Sequence, residues 1–215
     1  MHPNNLPVFP IDPLHPQSEV IDKAVHILRA GGVVMFPAMG LYGLAADAGN
    51  ARAVEKVYRL KQRPADKPVL VLIADIGELD NLVTHIPDAA WRLITKLWPG
   101  GVTLIFHAKK TVSERLTAGT GKIGVRMPVH PVAMALCRKM GRPITGTSAN
   151  ISGEKGWSDI GEMDISIAYK LDLILNAGPL SGGSVSTVVD VTVDPPAVLR
   201  VGRVSEIQIL SAIVP

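Results

Sequence analysis

Apolar positions recur along this chain in two rhythms, one of helices and one of strands. Val20, Ile21, Ala24, Val25 and Leu28 share one side of a 3.6-residue turn, which predicts a helix with Ser18 as N-cap and Gly31 just past its end. The apolar run 33–36 predicts a short strand stopped by Pro37. After it, Ala38-Met39-Gly40-Leu41-Tyr42-Gly43-Leu44 reads as a glycine-bearing loop at the strand's carboxyl end, where open α/β sheets usually place ligands. A second helix, capped by Asn50, buries Val54, Val57 and Leu60 and turns Arg52, Lys56, Arg59 and Arg63 to the other side. Pro64 ends it, and Pro68 opens an apolar strand over 69–73.

The same reading continues to the end of the chain. Helices are predicted over 76–83 and 87–98, the second carrying Trp91, Ile94, Leu97 and Trp98 as a packing stripe. A strand follows at 102–107, a short helix at 111–116, a strand at 123–127 bearing Arg126, and a helix from His130 to Met140. The strand 143–147 delivers Thr147-Ser148-Ala149-Asn150 into a loop, and the polar stretch 152–161 reads as a cover. Strands at 171–175, 186–193 and 197–201 precede a short terminal helix. Early alternation of strands and helices with late clustering of strands points to an α/β fold built on a twisted, open, mixed sheet. Residues 1–17, with five prolines, read as an extended arm, and 18–215 as a single domain.

At 215 residues, 47% hydrophobic and 19% charged, the chain has the composition of a globular protein with a sizeable core. Its net charge of +3 and pI near 9.1 permit a nucleotide or nucleic-acid ligand without requiring one. The single Cys137 lies in an apolar helical pattern and is assigned to the core. One cysteine rules out a disulfide within the chain and suits a reducing, cytoplasmic setting. The first residues lack the basic and apolar regions of a signal peptide, and no apolar run reaches the roughly 20 residues of a membrane span.

Several motifs fail on context. Gly119-Thr120-Gly121-Lys122-Ile123-Gly124 matches G-x-G-x-x-G in letters, but it precedes a predicted strand where a dinucleotide loop must follow one. It is not a P-loop, because Ile123 follows Lys122. The histidines at 2, 15, 26, 85, 107 and 130 show no metal-ligand spacing, so no protein metal site is expected. Ser148 has no Gly-x-Ser-x-Gly elbow around it.

What remains is a pair of alternate-residue couples. Lys61-Gln62-Arg63 offers two cations and Ser148-Ala149-Asn150 two neutral hydrogen-bonding groups, each couple able to point the same way from an extended segment. Cations with no nearby acid suit phosphate or carboxylate, and a solvated basic helix face is the plainer alternative. The K-x-R and S-x-N couples resemble the YrdC family of threonylcarbamoyl-AMP synthases. With them come Tyr42-Gly43-Leu44, Trp98-Pro99-Gly100, Gly124-Val125-Arg126-Met127-Pro128, the Thr147 to Gly153 stretch, Ser186-Thr187-Val188-Val189-Asp190 and Leu199-Arg200-Val201-Gly202. The resemblance covers about residues 18 to 203.

The resemblance implies an α/β fold, a twisted open mixed sheet with flanking helices around a large basic cavity, in a short form without an extra C-terminal domain. It implies an enzyme that joins L-threonine, bicarbonate and ATP into threonylcarbamoyl-AMP and pyrophosphate. That product would pass to downstream tRNA threonylcarbamoyl transferase proteins. Mg²⁺ is expected on the ATP phosphates, held mainly by substrate oxygens and water. In this scheme Lys61, Arg63 and Arg126 offset the charge of the phosphates, and Ser148 and Asn150 hydrogen-bond phosphate and carbamate. Tyr42, Thr147, Ser186 and Arg200 complete the nucleotide and substrate contacts. Family members usually read Pro-Thr-(Asp/Glu)-Thr-(Val)-Tyr-Gly-Leu where this chain has Pro37-Ala38-Met39-Gly40-Leu41-Tyr42-Gly43-Leu44. Two hydroxyls and a carboxylate are replaced at Ala38, Met39 and Gly40, a change that bears on threonine recognition more than on ATP handling. The alternatives are a former of carbamoyl-adenylate from another amine, and a YrdC-like module that binds double-stranded RNA or tRNA without synthase activity.

Overall fold

A computed structural model of the protein describes residues 7–214. In chain order its first half contains β1 (Val8–Pro10), α1 (Ser18–Arg29), β2 (Val34–Pro37), β3 (Tyr42–Ala45), α2 (Ala51–Leu60), β4 (Val71–Leu72), α3 (Leu79–Leu82) and α4 (Asp88–Leu97). Then come β5 (Val102–His107), α5 (Glu114–Thr117), β6 (Lys122–Arg126), α6 (Pro131–Met140), β7 (Ile144–Thr145) and β8 (Thr147–Ser148). The chain closes with α7 (Ile165–Ala168), β9 (Leu173–Asn176), β10 (Thr187–Asp190), β11 (Ala197–Arg200) and α8 (Glu206–Ile213).

The fold is mixed α/β with open sheets and flanking helices, but the strands divide into two sheets where one was expected. The first runs β1-β9-β2-β3-β8 and the second β11-β10-β5-β6-β4-β7. Both mix parallel with antiparallel pairs: β2 lies parallel to β9 and antiparallel to β3, and β5 lies parallel to β10 and antiparallel to β6. The strand expected at 143–147 is the seam. Ile144–Thr145 belongs to the second sheet, Thr147–Ser148 to the first, and Gly146 stands between them. A Cβ at Gly146 would lie 2.5 Å from the Leu72 side chain, so only glycine lets the strand cross that closely. Thr145 locks the seam, its N–H donating to the Ala46 carbonyl at 2.8 Å and its Oγ1 accepting from the Ala46 N–H at 2.9 Å.

Three apolar cores fill the layers. One packs α3, α4 and α8 on the second sheet, one packs α1 and α6 on β2, and one packs α2 and α7 on the first sheet. Cys137 is buried in the second of these, as expected. Asn50 caps α2 by accepting from the Arg52 and Ala53 N–H groups, and Gly31 follows α1 with φ +82°.

Some expectations need correction. Ser18 is the first helical residue, and Gln17 stands at the cap with no side-chain bond. Trp91 is 44% exposed, because the inward face of α4 is centred on Ala90, Leu93 and Ile94. The loop expected over 38–44 ends at Leu41. From Tyr42 the chain is strand β3, hairpinned on β2, with Gly43 leaving room for the Phe36 ring, whose atoms lie 3.1 Å from where its Cβ would be. Of the expected arm, residues 1–6 lie outside the described residues, while Val8–Pro10 extends the first sheet as β1 beside β9.

Candidate active site

Strand alternation builds the floor of a cavity at the seam. Side chains on one face of a strand recur every second residue. On that rule Lys122, Gly124 and Arg126 from β6, Thr103 and Ile105 from β5, and Ser186, Val188 and Asp190 along β10 all face the same hollow. The opposite wall comes from Phe36, Ala38, Met39, Leu41, Tyr42 and Gly43 of the hairpin, with Arg63 after α2 and Gly146, Thr147 and Ser148 of the seam strand. The cavity, open on one side, has a volume of about 520 Å³, within the roughly 300–1,000 Å³ of ordinary small-molecule sites.

Three arginines converge there. Arg126 is 8% exposed, and its Nε has no hydrogen-bond partner among the described residues. Burial, with Arg200 adding to it, pushes its guanidinium down to about 10. Arg200 holds the Ser186 carbonyl through Nε at 3.2 Å and through an Nη at 2.9 Å, and that same Nη lies 3.3 Å from Ser186 Oγ. Its value is lowered by burial and then by Arg63. Arg63, the cavity's third arginine, donates to the Lys67 carbonyl at 3.0 Å and to the Pro68 carbonyl at 2.6 Å. Desolvated like charges left facing one another favour an anion that neutralises them. Between the arginines, Thr103 Oγ1 and Ser186 Oγ share a buried hydrogen bond of 2.8 Å. At the far end Lys122 Nζ pairs with Asp190 Oδ2 at 2.9 Å.

The two couples singled out in the sequence do meet, but not in the expected way. Lys61 and Arg63 point apart. Lys61 is still the helical C-cap of α2 and Gln62 adopts φ +46°, so the segment is not extended and the alternation fails. Arg63 reaches the cavity, whereas Lys61 is 1% exposed behind its wall. There its Nζ donates to the Ser148 carbonyl at 2.5 Å, the Asn150 carbonyl at 2.9 Å and Asn150 Oδ1 at 3.0 Å. Asn150 is likewise off the cavity wall, and its Nδ2 donates to the Ile151 and Glu154 carbonyls, each at 2.8 Å. Ser148 and Thr147 do line the cavity.

The Tyr42 ring lines the cavity while its hydroxyl donates to the Gly178 carbonyl at 2.7 Å and accepts from the Ala177 N–H. Ala38 and Met39 reach the wall, but Gly40 serves the loop. Gly40 has φ +115°, and a Cβ there would stand 2.1 Å from the Gly182 carbonyl oxygen. Sequence reasoning passed over Thr103, Thr120, Lys122 and Asp190. Counting back by twos from Arg126, and forward by twos from Ser186, reaches Lys122 and Asp190. Thr103 is the one hydroxyl inside an otherwise apolar strand segment. The rejected glycine motif supplies three wall residues, Thr120, Lys122 and Gly124, as a turn entering β6. Among the described residues no three His, Cys, Asp or Glu side chains group to hold a metal, and no helix is long and apolar enough to cross a membrane.

A sheet-walled cavity with three converging guanidinium groups, two hydroxyl-bearing strands and an apolar flank has the chemistry to suit a small polyanion with an organic part. The family model for Sua5/YciO/YrdC, described as "Telomere recombination", matches residues 26–202, and the chain belongs to that family. It is 39% identical over 205 residues to the threonylcarbamoyl-AMP synthase of Bacillus subtilis, covering 95% of this chain and 59% of that relative. The structure of Pyrococcus abyssi Sua5 complexed with L-threonine superposes with a TM-score of 0.89 at 33% identity, covering 96% of this chain and 60% of the other. Escherichia coli YciO superposes with a TM-score of 0.84 at 32% identity, covering 94% and 98%. The chain thus spans about three fifths of the first two and nearly all of the third.

Proposed function

We propose that this chain is an L-threonylcarbamoyladenylate synthase that forms threonylcarbamoyl-AMP and pyrophosphate from L-threonine, bicarbonate and ATP, for tRNA modification in the cytoplasm. The naming of the Bacillus relative and the threonine complex of the Pyrococcus relative support the assignment. The observation that carries it is Arg126, a buried guanidinium whose Nε is unpaired among the described residues, in a cavity it shares with Arg63 and Arg200.

In this reaction the threonine amine attacks the carbon of bicarbonate and water is lost, giving a carbamate. A carbamate oxygen then attacks the α-phosphorus, the bond from that phosphorus to the β-phosphate bridge breaks, and pyrophosphate leaves with the electron pair. Two anions must approach each other, so catalysis rests on fixed positive charge already in place. Arg63, Arg126 and Arg200 supply it, and Thr103, Ser186 and Thr147 hold and orient the reactants. Asp190, the one carboxylate lining the cavity among the described residues, is engaged by Lys122 and Thr192. Mg²⁺ would therefore arrive on the ATP phosphates, coordinated by substrate oxygens and water and adding to their neutralisation.

The purified chain given ATP, Mg²⁺ and bicarbonate should release pyrophosphate only when threonine is added. Release indifferent to threonine rejects the assignment. A second reading, a carbamoyl-adenylate former acting on another amine, is favoured by the wall at Ala38, Met39 and Leu41, which offers no side-chain hydroxyl or carboxylate. In the same assay, stronger stimulation by an amino acid with an apolar side chain than by threonine selects it.

A further inference from the structure

Lys61 is the least exposed cation among the described residues, and it does not line the cavity. An ammonium has three protons and no lone pair. All three find oxygens on one short segment, the carbonyls of Ser148 and Asn150 and the Asn150 carboxamide. No donor is left over for a ligand. The return contact is also present, since the Ser152 N–H donates to the Lys61 carbonyl at 2.8 Å. Asn150 Oδ1 receives a second proton, from Ser148 Oγ at 2.5 Å. The Ser148 hydroxyl proton is thereby committed inside the wall, and toward the cavity Ser148 offers lone pairs. Ser148 is the one member of this knot that lines the hollow.

We infer that Lys61 is a positioning residue, which ties the 148–152 loop to the end of α2 and so fixes where and in which hydrogen-bonding sense Ser148 meets the reactants. Asn150 is its partner in the same task. The inference deepens the synthase reading and rests on it for its kinetic consequence alone. Removing Lys61 takes the ammonium from the Ser148 and Asn150 carbonyls and leaves Asn150 Oδ1 with the Ser148 hydroxyl alone. The loop then moves, and Ser148 moves with it. A misplacement of about 1 Å costs on the order of 100-fold in rate, and a group that acts through geometry lowers kcat while a lost phosphate contact also raises KM.

The test compares Lys61→Gln, Asn150→Ala and the double variant of the full chain. Pyrophosphate release from ATP, bicarbonate and threonine is measured, together with amide hydrogen exchange over 148–154. Each single variant should lower kcat by about tenfold or more and keep KM for ATP within about threefold. The double variant should be no worse than the poorer single one, because both break one knot. Amides 148–154 should exchange faster in both. A rise in KM for ATP of about tenfold or more in Lys61→Gln, with native exchange over 148–154 and an unaffected Asn150→Ala, would make Lys61 a direct phosphate ligand and overturn the inference. If Lys61→Gln does not fold, Asn150→Ala decides alone, a normal kcat with native exchange refuting it. If the unaltered chain releases no pyrophosphate, the synthase reading fails, and the exchange data still decide whether Lys61 holds the loop.

Discussion

Lys61 and Arg126 are both nearly inaccessible cations, 1% and 8% exposed, on either side of one wall, and their surroundings are opposite. Lys61 has an oxygen for every proton. Arg126 is buried with its Nε unpaired among the described residues. An isolated buried charge is destabilising unless hydrogen bonds or a counter-charge compensate it. The fold supplies an oxygen to every proton of the first cation and leaves the Nε of the second without a partner among the described residues. Burial and charge type are therefore poor guides to which cation meets a ligand. The count of satisfied donors separates them.

The largest effect that separates the two concerns Arg126. Replacing it with Gln removes an uncompensated guanidinium from a desolvated site, so the unliganded protein should melt no lower than before. The transition downward in rate should be large, since loss of one fixed donor to developing charge commonly costs roughly 100- to 1,000-fold in kcat. Pyrophosphate release and a thermal melt on the same sample decide it. A lower melting temperature with activity retained would move Arg126 to the structural side of the wall and erase the contrast.

Next in size is the pH dependence of stability that comes from Lys61. Three oxygens favour its ammonium, but burial, with Arg63 adding to it, outweighs them and pushes the group down to about 7 from an ordinary 10.5. Below pH 7 both the folded and unfolded chains carry the proton, and the cost of burying the charge is present in full. Between 7 and 10.5 the unfolded chain binds more protons than the folded one, so the unfolding free energy should climb with pH, by up to about 1.4 kcal/mol per unit. Urea unfolding of the unaltered chain and of Lys61→Met across that window isolates the contribution. Parallel curves for the two proteins would mean that Lys61 keeps its proton throughout and that the three oxygens win.

Much of this arrangement could be read from the order of residues, and the part that could not has one physical cause. Periodicity and breakers located most helices and strands. Gly31, Asn50 and Pro37 marked ends because each acts on its immediate neighbours. The hairpin at Tyr42 was missed because Gly43 reads as a loop residue until the Phe36 ring that needs the space is known. The division into two sheets was missed because it depends on Gly146 passing Leu72, a contact between residues far apart in sequence. Within the site, the convergence of Arg63, Arg126, Ser148, Ser186 and Arg200 around one hollow followed from motif order. Which way Lys61 and Asn150 turn did not. The left-handed turn at Gln62 redirects Lys61, and sequence patterning assigns such a turn to glycine or asparagine before glutamine.

The smallest effect tests an intermediate case, a cavity cation that already has a partner. Lys122 pairs with Asp190 at 2.9 Å, with side chains 33% and 11% exposed, so water reaches one end of the bridge. Burial works against ionised Asp190, but hydrogen bonds from Thr192 and Lys122 prevail and hold its carboxyl below the usual 3.8. A carboxylate of that kind stabilises the fold above its unfolded value and loses the contribution as pH falls through the folded one. Lys122→Met should therefore cost under about 1 kcal/mol at neutral pH, because a partly exposed pair gains little over its solvated groups. The difference from the unaltered chain should shrink with added salt and with acid, as screening and protonation each dissolve the same bond. Paired urea titrations at pH 7 and pH 3, at low and high salt, measure all four corners. A salt-insensitive loss well above 1 kcal/mol at pH 7 would class Lys122 with Lys61, as a side chain engaged in holding the fold. A negligible loss accompanied by weaker ATP binding would class it with Arg126. The donor count places it between them, with one bond made and protons to spare.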